Sequence, residues 1–390
     1  MPIKYISRVK NKEKAIELLF LPLLWSVYLV SGFIKRNTEI SVYGCPGNRF
    51  SDNAKYAYLE ASKTQMGNKS AWWISSDKAL VSQLKSQNLN AASRWSLTGI
   101  ILCMRAKYYY FSSYCSDINF WTSKNAIHVN YWHGVPFKKI EYDIHNGPLK
   151  TRFNPETVSE RIISYIWYIC SPAPTVRPSY LFSPHQYFDA YLSSAFRVPH
   201  NQLIKEQYPR VRSLKSKREE ALKNSTREIE NPQSTKTKIA LYAPTFRDTN
   251  RNWIKENILT DIEPLHISLE KNNIKLLIKP HPNEILDTSY SYKNIEVINS
   301  QLDTYITMEE VDFIITDYSS IAVDAADAGI DVYLLWPDLN DYKTKSRDLY
   351  FNIQDFYNKK YFTSVADLID KLDDGTFHTM NVKDDILSIN

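Results

Sequence analysis

The stretch of residues 313–329, FIITDYSSIAVDAADAG, contains the clearest indication of the fold class. Its first four residues, Phe313–Thr316, form an apolar run that predicts a buried strand. The small residues of Ile321–Ala328 predict a helix, and a hydroxyl-rich turn separates the two. A strand followed by a polar turn and a helix is typical of a parallel α/β domain. In such domains ligands bind outside the carboxyl ends of the strands.

The same alternation extends outward over most of the chain. Further strands are predicted at Ile40–Tyr43, Trp72–Ile74, Lys107–Phe111, Ala126–Trp132, Lys238–Tyr242, Ile274–Ile278, Ile295–Ile298 and Val332–Leu335, and further helices at Asp52–Ser62, Ser76–Gln87, Trp253–Lys271 and Val365–Leu372. Residues 213–237 are polar and charged and break the alternation, which favours a linker. We therefore predict two parallel α/β domains, residues 37–212 and 238–390, with ligands in the crevice at the strand ends.

Composition excludes several classes of site. The 390 residues include only 9 glycines, and neither a G-x-G-x-x-G nor a G-x-x-x-x-G-K-[ST] motif is present. A dinucleotide fingerprint and a P-loop are therefore absent. The 4 cysteines show no C-x-x-C spacing and the 8 histidines no H-E-x-x-H, which argues against a zinc site. Scattered cysteines fit a reducing cytosol.

The net charge of +5 is concentrated at the N-terminus. Residues 1–36 hold seven basic and two acidic side chains, whereas the rest of the chain holds 41 of each. Between these charges lies the 17-residue apolar segment Leu18–Ile34. It is short for a membrane span, and basic residues follow it where a signal peptide would have a cleavage site.

This pattern favours a segment that lies in an anionic leaflet, with Trp25 and Tyr28 at the level of the headgroups. A helix buried in the core and a true span are the two alternatives. We predict that residues 1–36 associate with a membrane surface and that nucleic acid is not a partner.

Four strand ends carry candidate functional residues. Ser319 and Ser320 stand where a helix begins, and its free N–H groups favour an anion such as a diphosphate; an ordinary helix cap formed by Asp317 or Ser319 is the alternative. His281 is bracketed by two prolines after the strand Ile274–Ile278, which suits a phosphate ligand or an acid, or else a simple surface histidine.

The other two strand ends carry a histidine and an arginine. His133 and Gly134 follow the strand Ala126–Trp132, and Arg247 follows Lys238–Tyr242. His133 in the first domain and His281 in the second would face each other across a cleft, one as general base and one stabilising phosphate. Arg247 could bind a phosphate through two hydrogen bonds, or pair with an acidic residue at the surface.

Taken in order, YWHGVPFK (131–138), LYAPTFRD (241–248), KPHP (279–282) and TDYSSIAVDAADAG (316–329) resemble the CDP-glycerol glycerophosphotransferases, which build teichoic acids and capsule polymers. SDNAK (51–55), YPR (208–210) and SRDLYFNIQD (346–355) add to the likeness, which covers roughly residues 37–360. The resemblance implies a GT-B architecture, with an acceptor domain before the linker and a CDP-glycerol-binding domain after it. It also implies peripheral attachment to the cytoplasmic face of the bacterial cell membrane.

By this resemblance, the chain moves glycerol phosphate from CDP-glycerol to a hydroxyl of a lipid-linked saccharide or growing polymer, and CMP leaves. His133 and His281 would be catalytic, and the substrate-binding residues would be Gly134, Lys138, Arg247, Asp317, Ser319, Ser320 and Asp324. We expect no tightly bound cofactor or metal, because no carboxylate cluster follows a strand, although Mg²⁺ could accompany the diphosphate. The chain could also form a homo-oligomer. The alternatives are a CDP-ribitol donor, a nucleotide-sugar glycosyltransferase and a membrane-bound nucleotide-binding protein without turnover.

Overall fold

The computed structural model describes residues 14–63, 70–147, 149–225, 237–245, 247, 252–281, 284, 286, 292–339 and 348–389. These residues form two compact units. Unit 1 consists of residues 1–133 and 140–210, and unit 2 of residues 134–139 and 211–390. The observed division differs from the predicted one, because the described residues 14–36 belong to unit 1 and the short segment 134–139 after His133 belongs to unit 2.

The described part of unit 1 is built on a seven-stranded parallel sheet of order β3-β2-β1-β4-β5-β6-β7. Its strands are β1 Asn37–Gly44, β2 Ser70–Ser75, β3 Ala91–Ser93, β4 Ala106–Phe111, β5 Ile127–Asn130, β6 Tyr180–Phe182 and β7 Leu203–Ile204. Its helices are α1 Leu21–Ser31, α2 Asp52–Lys63, α3 Lys78–Ser86, α4 Leu97–Arg105, α5 Lys150–Phe153, α6 Val158–Cys170 and α7 Asp189–Phe196.

Helix α8, Pro209–Ser225, begins in unit 1 and continues into unit 2. It covers the first half of the predicted linker 213–237, of which residues 226–236 lie outside the described residues. The helix is packed rather than free, because Leu214 is buried and the Arg218 guanidinium donates to the main-chain carbonyls of Met308 and Val311 at 3.1 and 2.7 Å.

Unit 2 contains a five-stranded parallel sheet of order β10-β9-β8-β11-β12 among its described residues. Its strands are β8 Lys238–Tyr242, β9 Ile274–Ile278, β10 Ile295–Val297, β11 Phe313–Thr316 and β12 Asp331–Leu334. Its helices are α9 Trp253–Asn257, α10 Ile262–Lys271, α11 Thr304–Thr307, α12 Ile321–Asp327, α13 Ile353–Phe356, α14 Val365–Asp373 and α15 Lys383–Leu387. The prediction of parallel α/β architecture is confirmed, although the predicted helix 253–271 is broken at Leu259–Asp261.

The central strands are buried on both faces, as parallel sheets require. All four residues of β11 are buried, and the side chains of Trp73 in unit 1 and Trp336 in unit 2 are among the largest that are fully enclosed. Hydrophobic clusters on the sheet faces hold each unit together. Burial of this apolar area is the main stabilising term for both units.

Helix α1 packs one face onto unit 1 and exposes the other. The Trp25 ring contacts the Trp121 ring edge-on at 5.6 Å, and its Nε1 donates to the carbonyl of Ile169 in α6 at 3.2 Å. Leu23 is 59% exposed, and Phe33 just after the helix is 90% exposed. No helix within the described part of the chain combines the length and the apolar character that crossing a membrane requires.

Candidate active site

In unit 2 the predicted site residues gather at the carboxyl edge of the sheet. Arg247 follows β8, His281 follows β9, and Ser319 and Ser320 follow β11. Strands β8 and β11 are neighbours and form the point where the strand order reverses. Doubly wound sheets bind their ligands at this position, so the topology supports a ligand site here.

Arg247 is held between two carboxylates instead of pointing freely from this edge. Its Nη1 lies 2.8 Å from Asp317 Oδ2, and its Nε donates to Asp338 Oδ2 at 2.7 Å. Its Nη1 also donates to the carbonyl of Thr245 at 2.7 Å. Burial opposes the charge of Arg247, but Asp317 and Asp338 outweigh this effect and raise its pKa above the ordinary value. The contacts give this arginine the task of fixing the loops after β8, β11 and β12.

Asp317 and Asp324 are likewise directed into the protein. Asp317 is fully buried and accepts hydrogen bonds from the main-chain N–H and the hydroxyl of Thr245 at 2.8 and 2.6 Å. Asp324 lies in helix α12, is also buried, and accepts a hydrogen bond from the hydroxyl of Tyr305. Both carboxylates therefore shape the edge from within, whereas direct contact with a substrate stays a prediction.

Ser319, Ser320 and His281 at this edge are half-buried, so part of each residue is accessible. Ser320 directly precedes helix α12, and Ser319 Oγ accepts a hydrogen bond from the N–H of Ile321 at 3.4 Å. The N-cap residue is Ser320, whose side chain makes no capping bond, and Asp317 is bonded to Thr245 instead. Of the capping alternative only the long Ser319 bond is present, and it leaves the hydroxyl able to donate elsewhere. Next to His281, the buried Lys279 ammonium donates to the carbonyl of Ser300 at 3.1 Å.

In unit 1, His133 lies at the corresponding edge, three residues beyond the end of β5. The side chain is exposed, and its ring lies beside that of Trp132 with centroids 4.1 Å apart. Trp132 has a φ of 55° and Gly134 a φ of 137°. A positive φ at a bulky residue costs about 1–3 kcal/mol and is found where the surroundings enforce it, often at active sites. The predicted strand 126–132 is accordingly shorter, because Trp132 cannot continue it.

The predicted substrate residue Lys138 lies in unit 2, where it forms an isolated antiparallel bridge with Leu349. Its side chain is half-buried. Among the residues that the structure describes, there is no group of three or more His, Cys, Asp or Glu side chains arranged to hold a metal ion.

Three residues with a part in these edges have no predicted role. Asp338 anchors Arg247, and its signal in the sequence is an aspartate directly after the strand and a proline, LLWPD (334–338). Asp52 and Arg210 belong to the SDNAK and YPR stretches, and their side chains pair with each other beside His133. Separation by 158 positions in the chain hides this contact from sequence patterns.

Comparison with known proteins agrees with this geometry. The family model "CDP-Glycerol:Poly(glycerophosphate) glycerophosphotransferase" matches residues 30–389. The chain is 28% identical to the teichoic acid poly(glycerol phosphate) polymerase of Bacillus spizizenii, over 84% of this chain and 81% of the relative. It is 27% identical to the teichoic acid glycerol-phosphate transferase of Staphylococcus aureus, over 71% and 68%.

Among solved structures, the wall teichoic acid polymerase TagF in a variant soaked with CDPG superposes with a TM-score of 0.72 at 20% identity, over 97% of this chain and 91% of that one. At this identity the likeness shows the fold, which is GT-B-like. The family match spans nearly the whole chain and includes the strand ends described above. The chain therefore belongs to the CDP-glycerol:poly(glycerophosphate) glycerophosphotransferase family and is a transferase of teichoic acid biosynthesis.

Proposed function

We propose that this protein moves glycerol phosphate from CDP-glycerol to a hydroxyl of a lipid-linked saccharide or of a growing teichoic-acid-like polymer, and that CMP leaves. The observation that carries the proposal is the common position of the family motifs. His133 follows β5 in unit 1, and Arg247, His281, Ser319 and Ser320 follow β8, β9 and β11 in unit 2. All are carboxyl ends of parallel strands, where this fold class binds nucleotides and their acceptors.

His133 is the general base in this proposal. Its exposed imidazole takes the proton from the acceptor hydroxyl, whose oxygen then attacks the phosphorus that carries glycerol. A new P–O bond forms as the bond to CMP breaks, with the two oxygens in line. CMP leaves with the electron pair of the P–O bond that breaks and therefore carries the additional negative charge.

His281 and the hydroxyls of Ser319 and Ser320 are proposed to hold the diphosphate oxygens, because these polar residues are partly accessible at the carboxyl edge of the sheet in unit 2. Arg247 and Asp317 support them indirectly by fixing the loops. A Mg²⁺ ion on the diphosphate would neutralise part of its charge, and oxygens of the substrate would be its main ligands.

We further propose that the protein works as a peripheral protein on the cytoplasmic face of the cell membrane. The apolar side chains that α1 and its flanks leave uncovered continue onto helix α6, where Ile162 and Ile166 are exposed and Trp25 bridges the two helices. Exposed apolar patches of this kind mark membrane or protein contacts. Lys14 and Lys35 are exposed beside the patch, whereas Arg36 is occupied by four main-chain carbonyls.

Sedimentation with vesicles that contain anionic phospholipid tests this attachment. The variant L19D/L23D/F33D should stay in the supernatant while the parent sediments. L97D, which changes another strongly exposed leucine of unit 1, is the matched control and should sediment like the parent. Equal sedimentation of the triple variant and the parent would refute the role of this segment.

The transfer itself is tested by release of CMP from CDP-glycerol in the presence of a lipid-linked acceptor. H133A should abolish release and leave binding of CDP-glycerol within about twofold of the parent. An active H133A variant would refute the general-base assignment. CDP-ribitol belongs in the same assay, because a teichoic acid ribitol-phosphate primase of Bacillus spizizenii is 25% identical over 63% of this chain. Release with UDP-sugars alone would instead indicate a glycosyltransferase.

A further inference from the structure

We propose that Arg210 and Asp52 are positioning residues for His133, and that together they hold its main chain in the orientation that proton transfer needs. This inference rests on the proposed role of His133 as general base. The Arg210 Nη1 lies 2.5 Å from Asp52 Oδ1, and its Nη2 donates to the main-chain carbonyl of His133 at 3.2 Å. One guanidinium therefore joins a carboxylate after β1 to the residue that carries the base.

The adjacent peptide is held in the same way. Asn53 is fully buried, and its Nδ2 donates to the carbonyl of Trp132 at 3.0 Å, while its Oδ1 accepts from the N–H of Arg210 at 3.4 Å. The N–H of Trp132 donates to Asn130 Oδ1 at 2.8 Å. The carbonyls of Trp132 and His133 are thus both fixed by side chains, which explains how the positive φ of Trp132 is maintained.

Burial makes this arrangement rigid. The Arg210 side chain is 5% exposed, and that of Asp52 is 18% exposed. Asp52 Oδ1 also accepts a hydrogen bond from the N–H of Asn53 at 2.7 Å, so the carboxylate that orients Arg210 also begins helix α2. The chain passes into unit 2 directly after His133 and directly after Arg210. The bond from Arg210 to the carbonyl of His133 therefore joins the two residues at which the main chain leaves unit 1.

The chemistry of arginine is specific to this task. Its planar fork donates to two acceptors at fixed angles, whereas a lysine ammonium in the same place keeps the charge but cannot reproduce both bonds. A displacement of about 1 Å at a reacting group can lower the rate by about 100-fold. R210K should therefore lower kcat by about 10–100-fold, while KM for CDP-glycerol changes less than about twofold because the donor binds unit 2.

The matched control is R218K in the same helix, since the Arg218 guanidinium also donates to main-chain carbonyls but far from His133 along the chain. Its kcat per folded molecule should stay within about twofold of the parent. D52N should also lower kcat. The double variant D52N/R210K should be no slower than the slower single variant, because both substitutions disrupt the same ion pair.

A measurement that does not depend on turnover separates this inference from the proposed function. The imidazole ¹⁵N resonances of the 8 histidines can be recorded in labelled protein, and H133A identifies the signal of His133. R210K should shift that signal and R218K should not. If H133A is active, the base assignment fails whatever Arg210 does. A second outcome is that H133A is inactive while R210K is as active as the parent and leaves the His133 signal unchanged. That outcome refutes the positioning role of Arg210 but leaves His133 as the general base.

Discussion

Replacing Arg247 with methionine should lower the free energy of unfolding by about 3–5 kcal/mol. The magnitude follows from the surroundings of the guanidinium. Asp317 is fully buried, and Arg247 lies 2.8 Å from its Oδ2, so the substitution leaves a buried carboxylate without its cation. Methionine keeps an apolar stem of similar length and limits the loss of packing. Most of the expected cost is therefore the desolvation of Asp317.

Urea unfolding followed by tryptophan fluorescence measures this effect. The Arg247 guanidinium carbon lies 4.6 Å from the centre of the Trp253 ring, so the signal includes a reporter at the site. D338N is the matched control, because its carboxylate is also bound by Arg247 but is 19% exposed. Arg247 donates two hydrogen bonds to this carboxylate, from Nε and Nη2, and the amide of D338N keeps one acceptor for them. The substitution should therefore cost about 1.5–3 kcal/mol, the range for a hydrogen bond to a charged group.

Binding of CDP-glycerol by calorimetry decides between the two roles considered for this arginine. If Arg247 fixes the loops, the variant loses stability first, and saturating donor restores part of the loss by mass action. A variant whose free energy of unfolding is within about 1 kcal/mol of the parent, but which binds CDP-glycerol more than about tenfold less tightly, would contradict a loop-fixing role for Arg247. That result would make Arg247 a direct phosphate ligand, as the sequence pattern first indicated.

Three further predictions concern unit 1. Burial lowers the pKa of His128 to about 4, whereas the same side chain in the unfolded chain has a pKa near 6.5. As the pH falls, the unfolded chain is therefore protonated at this position before the folded one, and the free energy of unfolding should fall by up to about 3 kcal/mol between pH 6.5 and 4. H128F should abolish this pH dependence in urea unfolding. Burial raises the pKa of Asp117 to about 8, which means that its protonated form favours folding and that stability is lost as the pH rises from about 4 to 8; D117N should flatten that slope. Asp77 accepts hydrogen bonds from the N–H groups of Ala79 and Leu80 at the start of α3, so D77A should lower the thermal midpoint at a cost of about 1 kcal/mol, and an unchanged midpoint would contradict the cap.

Three central strands of unit 2 could be predicted from the sequence at their observed bounds. β8, β9 and β11 (KIALY, IKLLI and FIIT) are four or five residues long and mostly apolar, as expected for parallel strands covered on both faces. Strands β3 and β7 have three and two residues, and runs so short carry no periodicity. Edge strands of this kind form because the neighbouring strand offers a template, which is information that only the folded chain contains.

The break in the predicted helix 253–271 has a local cause that was visible in the sequence. Pro264 lies in the first turn of α10, a position where its missing N–H is tolerated, whereas the interior of a longer helix would lose a hydrogen bond there. Helix α8 was hidden for the opposite reason. Its composition is that of a solvated linker, and its packed face consists of few residues, among them Val211, Leu214 and Arg218.

The candidate site could be predicted as a set of loops but not as a set of orientations. Each strand end marked by a motif does lie at a carboxyl edge, because parallel topology guarantees it. Whether Arg247 or Asp317 points outward or inward depends on partners such as Asp338, which stands 91 positions further along the chain. The charged residues of the motifs therefore predicted the location of the candidate site, but they did not predict which side chains point outward from it.

Both edges are stiffened by the same kind of pair, in a chain that contains only 9 glycines. Glycine-rich turns let a main chain approach a phosphate closely, and their loss removes that means of shaping a binding loop. Here an arginine takes its place in each unit. Arg210 joins Asp52 to a main-chain carbonyl of unit 1, and Arg247 joins Asp317 to a carbonyl of unit 2. A buried guanidinium that fixes carbonyl groups allows the adjacent histidine and serine side chains to remain at the surface in one orientation. The loops of this protein therefore obtain their rigidity from side chains, whereas glycine-rich loops obtain their shape from the main chain.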